Sequence, residues 1–241
     1  MVAFAVEQGL PEPGLGPLAT LGPFDETLVV DGQPGLQGAV QRDVDNDASA
    51  RWPSLGRLLR WSLPVTYAGT PVETVRLADA AQILAVRHLD PQRLGHTVIF
   101  IWRVREEIGL EGARAAASAL GIKPVRVHAI DTFVSADSPL EPKNFGLAPL
   151  GAGAVARALD NSSVTPPALV DSLAALARAS RISLQVGTTN GGNDGSMFVP
   201  YGVPDVPIGW PLRYSHSPAE TIDLRDVVSL ADMVQAIAER W

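Results

Sequence analysis

The sequence predicts an α/β domain with three layers, α/β/α, around a mainly parallel central sheet. Two observations carry that expectation. Continuous apolar, β-branched runs at 97–104 and 125–130 are typical of strands buried on both faces. Segments with helical spacing alternate with such runs along the chain. With 241 residues, one large domain is the default.

Taken in order, residues 11–66 are rich in Gly and Pro and poorly periodic, so only short helices are expected there. From Thr70 the texture changes. Leu77, Ala81, Leu84 and Ala85 sit at helical spacing and predict a helix that ends by His88 to Asp90, closed by Pro91. The run TVIFIWRV over 97–104 predicts a strand. The Ala-rich stretch 109–120 predicts a helix stopped by Gly121. A second strand is expected over 125–130, then a helix over 167–179 and a strand over 182–186. The last helix is expected over 226–239, apolar at Val227, Leu230, Met233, Val234 and Ile237.

A weak internal repeat sets the domain expectation. Residues 46–79 align without gaps to 193–226 and share 11 of 34 positions, among them Asn46, Asp47, Pro64, Tyr67, Glu73 and Asp79. Residues 1–95 are therefore read as an eroded copy of the C-terminal unit, packed on or part of the main sheet, and 96–241 as the core. The copies differ at chemically important places, because His216 is matched by Gly69 and Asp223 by Arg76.

Composition narrows the chemistry. The net charge of -7 argues against a broad grip on nucleic acid. With no cysteine, disulfides, thiolate ligands and a cysteine nucleophile are excluded. A bound metal would need carboxylates and one of four histidines, His88, His96, His128 or His216. No stretch reaches the roughly 20 apolar residues of a spanning helix. The first ten residues lack a basic region followed by an apolar run, so a cytoplasmic, non-membrane protein is expected.

Three places carry candidate chemistry. Glu106 and Glu107 follow an entirely apolar strand, and Gly109 and Gly112 open the next helix. In parallel sheets ligands gather at such strand ends; an acidic first helical turn that complements the helix dipole is the plainer alternative. Asp131 follows the second buried run, where it is either a hard oxygen donor or an Asx turn. His216 lies in the Pro-bounded segment RYSHSPAE over 213–220; a lone loop histidine is commonly only a surface residue, but one histidine with several carboxylates suits zinc, cobalt or manganese.

Together these motifs resemble the glutamyl-aminopeptidase-like family of dinuclear, often self-compartmentalising metallo-aminopeptidases, which includes cellulase-M-like and deblocking aminopeptidases. VIFIWRVREEIGLEGA over 98–113 resembles that family's strand, Glu-Glu and Gly-Leu-x-Gly-Ala signature. AIDTFVSADSP over 129–139 resembles its next strand, with a metal-binding Asp. Residues 190–220 resemble its Gly-Gly-Thr-Asp-like turn and its Arg-Tyr-x-His-Ser-Pro-x-Glu motif. The likeness runs from about residue 95 onward and implies a zinc-peptidase-like fold. It makes Glu106 the general base, Glu107 a ligand of one metal with His216, and Asp131 a ligand of the other. Two divalent ions or fewer (Zn, Co or Mn) would activate a metal-bound water for attack on the N-terminal peptide bond of short peptides, in a homo-oligomer.

The chain departs from that pattern at its start. The family's early His-x-Asp motif has no counterpart, since no histidine precedes His88. The family's bridging Asp, about 33 residues before the Glu pair, falls here near Glu73. Within the acidic segment 43–47, Asp45 or Asp47 offers a substitute ligand, and a solvated acidic turn is the alternative. The family's inserted small β domain has no evident counterpart. These departures motivate a second reading, a catalytically inactive homologue with a structural or regulatory role; a deacylase or carboxypeptidase with similar metal chemistry is a third.

Overall fold

The computed structural model describes residues 2–7, 63–67, 70–74 and the chain from 81 onward, apart from 83–84, 87, 91, 93, 103–104, 139–145 and 218–219. Its strands are β1 (Val2–Glu7), β2 (Leu63–Tyr67), β3 (Thr70–Thr74), β4 (Thr97–Trp102), β5 (Arg126–Val134), β6 (Ala154–Leu159), β7 (Leu184–Thr188), β8 (Ile208–Arg213) and β9 (Thr221–Ile222). The helices are α1 (Glu111–Ala119), α2 (Pro167–Ser180) and α3 (Leu224–Arg240), with a 3₁₀ helix over Asp194–Tyr201. Residues 81, 82, 85, 86 and 88 are helical too, where the spacing of Ala81 and Ala85 predicts a helix, and both alanines are fully buried.

One seven-stranded sheet runs in the order β4-β1-β5-β8-β6-β7, with β9 added to β8. β5 and β8 pair in parallel, as do β6 and β7. β1 is antiparallel to both neighbours and β6 is antiparallel to β8, so antiparallel pairs enter a sheet whose strand directions the apolar runs could not announce. β2 and β3 form a separate antiparallel pair.

Helices cover both faces, which gives the three layers expected. Alternation along β5 makes the division visible: Ile130 packs with Ala156, Ile208, Leu173 of α2 and the α3 residues Val227, Leu230, Val234 and Ile237. Val127 faces the other way and packs with Phe198 and Val203, against Ala116, Ala117 and Leu120 at α1. α3 begins where the Asp223 side chain accepts a hydrogen bond from Arg225 N–H (2.9 Å), an N-cap. α2 starts on Pro167, whose missing N–H costs nothing in a first turn. Gly121, with φ +71°, follows the end of α1 as the sequence predicts.

Two features bear on the site. β5 runs on through Val134, so Asp131 lies inside this strand and not beyond its end. Beside Asp131, Gly209 of β8 comes so close that a Cβ there would collide with the Asp131 carbonyl; only glycine permits this approach.

Candidate active site

β4 and β5 are each antiparallel to β1, and β8 is parallel to β5, so these three strands point the same way. Their carboxyl ends meet at one edge of the sheet. There the Glu106–Glu107 turn follows β4, residues 135–138 follow β5, and the Tyr214–Ser217 turn follows β8.

The turns are held in uncommon backbone shapes. Arg105 (φ 61°) and Leu110 (φ 58°) bracket the Glu pair, and Tyr214 (φ 65°) and His216 (φ 57°) form the other turn. Left-handed φ costs a non-glycine residue about 1–2 kcal/mol, so neighbouring contacts must impose it. Some are evident. The Glu106 carbonyl accepts hydrogen bonds from Gly109 N–H (3.2 Å) and Leu110 N–H (3.0 Å), closing that turn. In the second turn Glu220 Oε1 accepts from His216 N–H (2.8 Å). Burial raises the Glu220 pKa; the His216 N–H bond opposes this, while the charge of Glu107 adds to it.

This geometry joins two candidates far apart in sequence. His216 Nδ1 lies 3.9 Å from Glu107 Oε2, and both side chains are open to solvent, 76% and 64% exposed. Imidazole nitrogen and carboxylate oxygen each bind zinc-like ions at roughly 2.0–2.2 Å, so donors this close can share one cation. The pair fits the donor chemistry that the family resemblance implies.

Asp131 stands apart from that pair, 6% exposed within β5. Its Oδ1 accepts from Thr132 N–H (2.6 Å), and its Oδ2 accepts from Arg157 Nη1 (2.6 Å). A carboxylate survives inside a buried strand because a guanidinium on β6 matches its charge. Among the described residues, no three His, Asp or Glu side chains gather closely enough to hold one ion. Asp45 and Asp47 lie outside the described residues, and so do Leu77 and Leu84 of the expected helix.

Several residues at this edge went unread in the sequence. Arg213 donates through Nε (3.0 Å) and Nη2 (2.6 Å) to the two oxygens of Asp137, a fork that clamps the base of the His216 turn onto the loop after β5. That hydrogen bond holds the Asp137 carboxyl below its usual range. Both residues sit in motifs the sequence does show, but their pairing does not follow from spacing. Below Asp131, Arg157 Nη2 also contacts Asp160 Oδ2 (2.9 Å). Asp205 lies nearby, accepts from Ser163 Oγ (2.7 Å), and is pushed up to about 7 by burial.

Fold and edge together define an α/β protein with a carboxylate–imidazole rim over a buried ionic layer. The chain belongs to the M42 glutamyl aminopeptidase family, whose model matches residues 75–233. It is 30% identical over 159 residues to a protein of Acetivibrio thermocellus named as a candidate aminopeptidase, covering 63% of this chain and 45% of that one. The structure is similar to the TET1 peptidase of Pyrococcus horikoshii, which can assemble into a tetrahedron or a large octahedral shell (TM-score 0.62, 31% identity, 69% of this chain, 48% of that one). It is also similar to aminopeptidase APDkam598 of the archaeon Desulfurococcus kamchatkensis (TM-score 0.61, 28% identity, 68% and 47%). The chain thus spans about half the length of the relatives it matches. No described helix is long and apolar enough to cross a membrane.

Proposed function

We propose that the chain is an aminopeptidase that removes N-terminal residues from short peptides, with Glu106 as its base and Glu107, His216 and Asp131 as ligands to divalent cations. The observation that carries this reading is the approach of His216 Nδ1 to Glu107 Oε2 (3.9 Å), in a chain that belongs to the M42 family. Zinc, cobalt or manganese would supply Lewis acidity, lowering the pKa of water and polarising the scissile carbonyl. Glu106 adjoins Glu107 at the half-open turn; its carboxylate takes the proton of the attacking water and passes it to the departing amine. Glu107 and His216 would hold one cation at the rim and Asp131 a second, and Asp45 or Asp47 would complete the set.

The same proposal covers setting and assembly. A homo-oligomer is the reading, supported by the shells into which the TET1 relative can assemble, and a cytoplasmic setting is read with it. Residues 1–95 are read as the eroded repeat. The repeat alignment sets the hairpin β2–β3 against β8 and the residues leading to β9, both antiparallel, although the two pairings differ in register.

The test uses purified protein, with cation content measured after dialysis and turnover measured on aminoacyl and N-acyl substrates. Glu106→Gln is expected to retain cation and lower kcat at least about 100-fold, the usual share of a general base. His216→Ala is expected to weaken cation binding. If both variants cleave an aminoacyl substrate like wild type, the site is misplaced. Protein that neither takes up cation nor cleaves any substrate is the inactive homologue instead.

A further inference from the structure

Arg157 lies outside the motifs of the rim and enters from β6, two strands away from β5. We propose that Arg157 is a positioning residue of the peptidase site, fixing the Asp131 carboxylate so that an acceptor position stays open to a cation; this rests on the reading of Asp131 as a ligand.

The argument begins with how firmly the guanidinium is held. Nη1 donates to Asp131 Oδ2 (2.6 Å) and to the Thr132 carbonyl (3.0 Å). Nη2 forms an ion pair with Asp160 Oδ2 (2.9 Å) and donates long hydrogen bonds to the carbonyls of Asn190 (3.4 Å) and Gly192 (3.3 Å). One planar group, 3% exposed, therefore joins β5, the turn after β6 and the Gly-Gly turn after β7. Its position is set by several partners besides Asp131, so it acts on Asp131 as a fixed point.

The two carboxylates it touches are unequal. A carboxylate has about four acceptor sites. Asp160 fills them: Oδ1 accepts from Ser162 N–H (2.8 Å), Ser162 Oγ (2.8 Å) and Ser163 N–H (2.9 Å), and Oδ2 accepts from Asn193 Nδ2 (2.8 Å) while lying 2.9 Å from Arg157 Nη2 as an ion pair. Asp131 has one strong donor on each oxygen, Thr132 N–H and Arg157, with Thr132 Oγ1 at 3.4 Å. Asp160 is thus a saturated anchor, whereas Asp131 is oriented with capacity left over. One guanidinium between two carboxylates also leaves a net negative charge, which favours a further cation. Lysine could not replace this action, since a single ammonium cannot hold two carboxylates in a fixed plane.

The experiment titrates Zn²⁺ alone into metal-stripped wild type, Arg157→Lys, Asp160→Asn and Asp131→Asn, with kcat, KM and Tm measured alongside. Arg157→Lys is expected to weaken Zn²⁺ binding about 10–100-fold, the usual effect of losing a partner of a metal ligand, and to lower kcat with KM little changed. Asp160→Asn, which loosens the anchor, is expected to move the same quantities less. If Arg157→Lys fails to fold, Asp160→Asn decides alone. Should these variants lower only Tm, leaving Zn²⁺ affinity and kcat intact while Asp131→Asn weakens binding, Arg157 is structural and the inference falls by itself. If Asp131→Asn binds Zn²⁺ like wild type, or wild type binds none, the ligand reading fails and takes this inference with it.

Discussion

Glu107 and His216 stand largely in solvent and touch each other only at 3.9 Å, whereas Asp131, Arg157 and Asp160 are sealed in the sheet and bonded at 2.6–2.9 Å. The rim is shaped by backbone: left-handed residues and closing hydrogen bonds aim side chains that have few partners of their own. The layer beneath is shaped by charge, with two carboxylates set against one guanidinium. Exposed groups hydrated on every side are cheap to keep and weakly coupled to folding. Buried ions are expensive to bare, so the same kind of residue has opposite energetic weight in the two places.

The largest expected contrast follows directly. Arg157→Met strands two buried carboxylates and is expected to cost about 3–5 kcal/mol of stability, read from urea unfolding. Glu107→Gln, at the rim, is expected to stay within about 0.5 kcal/mol of wild type. Equal losses in the two variants would erase the distinction.

An intermediate effect concerns pH. Asp205 titrates near 7 in the folded protein, well above an ordinary carboxylate, so the folded state binds the extra proton. Its contribution is fully present below about pH 4, is lost as pH rises through 7, and is absent above that. His128 works in reverse. Buried, with Nδ1 donating to the Val206 carbonyl (2.9 Å), it is held down to about 3 by burial and the Arg126 charge. Its contribution is present above about 6.5 and is lost as pH falls toward 3. Unfolding midpoints measured from pH 4 to 8 are expected to show Asp205→Asn removing the decline toward 7, and His128→Asn flattening the acid limb. A rim substitution, Glu107→Gln, is expected to leave both slopes unchanged, the smallest effect of the series.

How much of this was readable depends on what local sequence encodes. β4, β7 and α3 announce themselves through continuous or periodic apolar residues, and their bounds agree with the sequence reading to within about two residues. β6 was missed because alanines and a central Arg157 make it look solvated, and β8 because Gly209 and Pro211 mimic a turn. The continuation of β5 past Asp131 was hidden for a related reason. A charged residue reads as the end of a buried strand unless its partner is known, and Arg157 is 26 residues away. At the site, the family resemblance pairs Glu107 with His216, and the structure brings them to 3.9 Å; the forks of Arg213 and Arg157 are invisible in the sequence, since ion pairing across a sheet leaves no periodic trace.

The Arg213–Asp137 fork has one more consequence. A loop carrying a lone imidazole would ordinarily sample many orientations, and an arriving ion would have to halt that sampling at the moment of capture. Two parallel bonds at Arg213 fix the loop's root when the chain folds, before any ion arrives. An ion taken up at His216, as proposed, would then meet a turn whose root is already fixed in place.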